Sequence, residues 1–98
     1  MYVVPWTYRI APGNEAALDA LYGAHGGWAR LFQRDPAYSG TELLRGTADA
    51  SHYLTIDRWR TLVHHDAFLQ GAREEYAALD RQGDAPALEE TRLAAIDN

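Results

Sequence analysis

From Tyr2 to Ile10 the chain alternates: Tyr2, Val4, Trp6, Tyr8 and Ile10 fall on one side, Val3, Pro5, Thr7 and Arg9 on the other. A two-residue period predicts a β-strand with one strongly apolar face. Pro5 conflicts with a central place in a sheet, because it has no N–H for the ladder; an edge position or a bulge is expected there. Pro12-Gly13-Asn14 predicts a turn, with Gly13 or Asn14 capping a helix whose Glu15 suits the positive end. Ala17, Leu18, Leu21, Ala24, His25, Trp28 and Phe32 then recur at helical spacing. Gly26-Gly27 interrupts this stripe and predicts close packing or a weak kink, or else room left for a ligand. Asp35-Pro36 ends the helix.

Tyr38 to Arg45 reads as a second strand, 46–50 as a turn, and Ser51 to Arg60 as a third strand paired to the second in a hairpin. Thr61 is placed as the N-cap of a helix from about Leu62 to Arg81 that stops near Gly83. Asp84 to Pro86 is expected to be a loop and Leu88 to Ile96 the last strand. The order is the ferredoxin-like βαββαβ: an α+β fold with an antiparallel sheet and two helices on one face. The other sheet face carries apolar residues too, and a second copy of the chain is its simplest cover. No repeat or linker divides residues 1–98, so one domain is expected.

Composition sharpens this in three ways. At 98 residues a domain buries only about 60–65% of its extended surface, so a modest core would gain from self-association. Eleven Trp, Tyr and Phe residues point the same way, toward a homodimer. The net charge of −5 argues against nucleic acid and anionic membranes, which need a basic surface. No cysteine is present, which excludes disulfides, thiolate-bound zinc, iron–sulfur clusters and a thiol nucleophile. No apolar run reaches the ~20 residues of a membrane span. Met1 to Trp6 lacks the marks of a signal peptide, so the cytoplasm is expected.

Candidate chemistry gathers between Ser51 and Leu79. His65 shares its helix face with Phe68, Leu69, Ala72, Tyr76 and Leu79 by spacing. It reads either as a satisfied core residue or as an acid–base group. Trp59 ends the strand where the helix begins, as core packing or as a wall that stacks on a planar ligand. Thr55 and Asp57 share its face, and Thr55 is placed to hydrogen-bond a substrate oxygen. The Tyr76 hydroxyl is a further donor. His25, beside Gly26 and Trp28, is a second candidate for the same pocket. His64 and His65 point about 100° apart on a helix and cannot chelate one ion together, so no metal is expected. No phosphate loop or Gly-x-Ser-x-Gly elbow is present.

The runs Met1-Tyr-Val-Val-Pro-Trp6-Thr-Tyr-Arg9, Gly27-Trp-Ala-Arg-Leu-Phe32, Tyr38-Ser-Gly-Thr-Glu-Leu-Leu-Arg45 and Tyr53-Leu-Thr-Ile-Asp-Arg-Trp59 resemble the antibiotic biosynthesis monooxygenase (ABM) family. The resemblance implies chains paired sheet to sheet as a dimeric α/β barrel, each with a pocket between sheet and helices. The family's cofactor-independent oxygenases use a third-strand tryptophan, an asparagine four residues before it and a tyrosine on the next helix. Here Trp59 matches, while Thr55 and His65 stand at the other two positions. The haem-degrading branch points to Thr7, Phe68 and Ala78, none of which carries the matching residue, so haem degradation is set aside. Thr7 and Phe68 remain, with Thr55, Tyr76, His25 and Trp28, as candidate substrate-binding residues. The resemblance implies a monooxygenase needing no cofactor, acting on a small aromatic or enolisable compound, with His65 as base and Trp59 as stacking wall. The alternative is a homodimer of the same fold that binds a small ligand, or is purely structural, without turnover.

Overall fold

A computed structural model describes residues 1–83, 87–93 and 95–97. The elements are β1 (Tyr2–Ile10), α1 (Glu15–Tyr22), α2 (Gly27–Phe32), β2 (Tyr38–Arg45), β3 (His52–Trp59), α3 (Leu62–Gly71), α4 (Arg73–Gly83), β4 (Ala87–Arg92) and β5 (Ile96–Asp97). The strands form one antiparallel sheet in the order β2-β3-β1-β4, with β5 also paired to β1. This is the expected ferredoxin-like α+β arrangement. The loop expected at 84–86 lies outside the described residues.

Strand parity sorts the sheet into two faces. Tyr2 pairs with Trp59, Val4 with Asp57, Trp6 with Thr55 and Tyr8 with Tyr53, so the apolar side of β1 meets the odd-numbered side of β3. Tyr2, Val4, Tyr8, Ile10, Tyr53 and Trp59 are buried there with Leu18, Leu21 and Tyr22 of α1 and with Trp28, Leu31 and Phe32 of α2. The helices cover that face.

Pro5 stands opposite Ile56 of β3. Its carbonyl accepts from the Leu93 backbone N–H at 3.0 Å. Proline has no N–H to return to Leu93, and this missing bond falls where the pairing of β1 shifts by one residue, from Trp6 with Arg92 to Val3 with Ile96.

Both predicted helices are divided. The first is interrupted from Gly23 to Gly26, two residues with extended backbone. A Cβ on Gly26 would lie 2.9 Å from the Ala20 and Leu21 carbonyl oxygens, so only glycine lets the chain turn this close to α1. The break turns Ala24 and His25 out to solvent and removes them from the predicted stripe; Ala17, within α1, is exposed as well. The second helix divides at Ala72 (φ −114°, ψ 28°), just after Gly71, a weak helix former. Glu74 and Glu75 then occupy the first turn of α4, where acidic residues favour a helix start. At α3 the Thr61 hydroxyl accepts from the His64 N–H at 3.1 Å, the N-cap the sequence suggests.

Candidate active site between sheet and helices

A hollow with an open mouth lies between the helix-covered face of the sheet and the helices. Val4, Trp6 and Tyr8 of β1, Thr55 and Asp57 of β3 and Thr41 of β2 form its floor. Tyr22, Trp28 and Phe32 of the first helical pair close one side, and His65, Leu69 and Tyr76 of the second pair the other. Glu90 and Arg92 of β4 complete the rim.

Of the residues singled out from sequence, Thr55, His65, Trp28 and Tyr76 come together here. Trp59 does not line the hollow. It is wholly buried behind it, its ring 5.4 Å from that of His65 and packed on Phe32, Tyr38 and Phe68. Parity placed the indole on the correct face, but at the end of β3 the first turn of α3 comes down over it. Phe68 packs on Trp59 and Phe32 rather than into the hollow. Thr7, of odd parity on β1, is on the opposite sheet face, with its hydroxyl 3.4 Å from the Thr91 carbonyl. His25 is exposed at the α1–α2 break. Gly27 meets Leu79 and Leu21 rather than the hollow, so these glycines serve close packing.

His65 is buried, and its Nδ1 lies 3.0 Å from Asp66 Oδ1. A carboxylate only accepts, so Nδ1–H is the donor and Nε2 carries the lone pair when the ring is neutral. The Tyr2 ring lies 5.0 Å from the imidazole, and Arg92 Nη2 donates to the Tyr2 hydroxyl at 2.6 Å. Thr55 Oγ1 is bonded to the Tyr8 hydroxyl at 3.1 Å, in a buried pair.

Asp57 is the feature that sequence reading underrated. Thr41 Oγ1 donates to its Oδ1 at 2.5 Å, and Thr41 is itself bonded to the Tyr38 hydroxyl. Burial pushes the Asp57 carboxyl up to about 6, against the Thr41 hydrogen bond, which lowers it. Burial likewise raises Tyr8, Tyr38 and Tyr76. Asp57 shares strand parity with Thr55, so its face was legible; its partner Thr41 comes from another strand and was not. Val4, Trp6, Tyr8 and Leu69 were also on readable faces, whereas Tyr22, Glu90 and Arg92 depend on how the helices and β4 dock. Among the described residues no group of three or more histidine or acidic side chains is arranged to hold a metal ion.

Fold and hollow together define a ferredoxin-like α+β chain that encloses an aromatic pocket between sheet and helices. No family model matches the chain, and neither does any curated protein sequence. Among solved structures, the chain superposes along its whole length on a proposed antibiotic biosynthesis monooxygenase from Nitrosomonas europaea. The TM-score is 0.74 at 13% identity, covering 98% of that chain. A proposed antibiotic biosynthesis monooxygenase from Bordetella bronchiseptica matches at TM-score 0.72 and 20% identity, over 99% of this chain and 95% of that one. An asparagine-to-alanine variant of SnoaB, a cofactor-independent oxygenase from Streptomyces nogalater, matches at TM-score 0.63 and 17% identity, over 99% and 94%. The fold of this chain is the fold these proteins share. No helix among the described residues is long and apolar enough to cross a membrane.

Proposed function

We propose that the chain is a monooxygenase-like enzyme that acts, without a cofactor, on a small aromatic or enolisable compound bound in the hollow. The observation that carries this reading is that a buried imidazole and a half-buried carboxyl, His65 and Asp57, open onto the same aromatic-lined space. His65 takes a proton from an acidic C–H, helped by Asp66, which holds its Nδ1–H. Trp28, Trp6 and Tyr76 supply flat apolar surface against a planar substrate. The resulting electron-rich anion reduces dioxygen directly. A methylene becomes a carbonyl and the second oxygen atom leaves as water, so the four electrons lost by carbon are those gained by oxygen.

The reading includes a homodimer of single domains. On the sheet face away from the helices, Leu44, Leu93 and Ile96 are exposed and Val3, Pro5, Leu54 and Ile56 are half-buried. A second copy packed sheet to sheet would cover them. A ligand-binding dimer without turnover is the second reading, favoured by one observation: the Thr55 hydroxyl is engaged by Tyr8 rather than left for a substrate.

Oxygen uptake with a panel of hydroxyanthrones and hydroquinones, wild type against His65→Ala, decides between them. Uptake that falls about 100-fold in the variant supports the enzyme. Binding across the panel with no uptake supports the dimer without turnover.

A further inference from the structure

Asp57 stands on β3 opposite Val4 of β1 and Thr41 of β2. A threonine hydroxyl has one hydrogen. With that hydrogen given to Asp57 Oδ1 at 2.5 Å, the Thr41 oxygen is left to accept from the Tyr38 hydroxyl. The donors thus run from Tyr38 through Thr41 toward the carboxyl and end on Oδ1. Among the described residues Oδ2 has no hydrogen-bond donor, and no cation forms an ion pair with Asp57. Arg92, on the same rim, donates instead to the Tyr2 hydroxyl. A half-buried carboxyl with one neutral donor and no counter-charge is held more easily as an acid than as an anion. Oδ1 is already an acceptor, so the acid proton belongs on Oδ2.

We propose that Asp57, in its protonated form, donates from Oδ2 to the oxygen of an enolisable carbonyl substrate while His65 takes the adjacent C–H proton. Thr41 and Tyr38 are the positioning residues. The C–H bond breaks toward His65 Nε2, the electron pair moves onto the carbonyl oxygen, and that oxyanion is met by the Asp57 proton. A donor aimed at developing negative charge stabilises the transition state more than the ground state. The substrate class is thereby narrowed to compounds with an oxygen one carbon away from an acidic C–H. This inference rests on the oxygenase reading only for its choice of substrate, because the proton transfer requires no oxygen.

Around Asp57 stand Tyr8 from β1, Tyr22 from α1, Tyr38 from β2, His65 from α3, Tyr76 from α4, and Glu90 and Arg92 from β4. Tyr8, Tyr38 and Tyr76 are all raised by burial, so none of these three ionises near neutral pH. A loss of rate that follows Asp57 should therefore appear as pH rises through about 6.

The test is anaerobic deuterium exchange at the methylene of a dihydroxyanthrone, followed by proton NMR. Wild type should accelerate exchange over buffer and lose rate as pH rises through about 6. Asp57→Asn, which keeps an N–H donor in place, should stay within about tenfold of wild type and lose that fall. Asp57→Leu should lose about 100-fold. Thr41→Val removes a bond that favours the anion, so it should move the fall upward by about one pH unit. The proposal is overturned if Asp57→Asn is as inactive as Asp57→Leu, which would make Asp57 a base, or if neither variant changes the profile. It is overturned equally if wild type gives no acceleration. Should Asp57→Leu fail to fold, the Asp57→Asn profile decides alone. Exchange without oxygen uptake in air defeats the oxygenase reading and leaves this proposal standing. Uptake whose pH profile is unmoved in Asp57→Asn does the reverse.

Discussion

The rings of Trp59 and His65 meet nearly at right angles, 83° between planes and 5.4 Å between centroids. The indole is wholly buried, and the imidazole stands between it and the hollow. Trp59 is thus the surface against which His65 is set rather than a wall for substrate. Because it also packs on Phe32, Tyr38 and Phe68, it ties α2 and α3 to the end of β3.

Truncating that indole should cost fold stability first and function second. Trp59→Ala is expected to lose about 3–5 kcal/mol in urea denaturation. Trp59→Phe should lose about 1–2 kcal/mol, since it keeps a ring and removes an Nε1–H that, among the described residues, has no hydrogen-bond partner. If Trp59→Phe is as unstable as Trp59→Ala, the indole is held by something other than packing.

A second prediction follows from Asp57 alone. Burial pushes its carboxyl in the folded protein up to about 6, above the ordinary 3.8, so between those values the folded state binds more protons than the unfolded one. Stability from this group is fully present at the acid end and lost as pH rises through about 6, at a cost on the order of 2 kcal/mol. Asp57→Asn should raise the urea midpoint at pH 7.5 and leave it nearly unchanged at pH 4. A variant equal to wild type at both values would mean that the carboxyl is well solvated.

Strand parity made half of this site legible. The period-two run from Tyr2 to Ile10 fixed which side chains of β1 face the helices, and the hairpin from Tyr38 to Trp59 placed Thr55 and Asp57 on the matching side. Parity carries no information on depth, so Trp59 and Thr55 look equivalent in sequence although only one reaches the hollow. Helical spacing failed where backbone geometry broke it. Gly26 allows a close turn and Ala72 a change of axis, and each break re-aims the residues after it. The bond from Thr41 to Asp57 spans two strands and exists only once β2 and β3 are in register, which no local pattern announces.

The buried pair of Tyr8 and Thr55 gives a cleaner test of that register. Their hydroxyls are 3.1 Å apart, and removing one partner leaves the other without it inside the fold. Thr55→Val and Tyr8→Phe should each cost about 1–3 kcal/mol, whereas the double variant should cost less than their sum. A double-mutant cycle in urea with no coupling would show that the two hydroxyls are served by water instead.

The uncovered sheet face carries the last prediction. Leu54 lies opposite Thr7 on β1 and Leu44 on β2, in the middle of the apolar surface that faces away from the helices. If a second copy covers that surface, wild type should sediment as a dimer at micromolar concentration. Leu54→Arg would then bring one charge from each copy into the same dry interface, near its own symmetry mate, and no acidic side chain is opposite it on β1 or β2. Removing such charges from water costs several kcal/mol, enough to shift a micromolar dimer to monomer. The helix-covered face is untouched by this change, so circular dichroism of the monomer should match wild type. Sedimentation of wild type as a monomer would defeat the dimer outright. A Leu54→Arg protein that still dimerises would move the interface to another part of the surface.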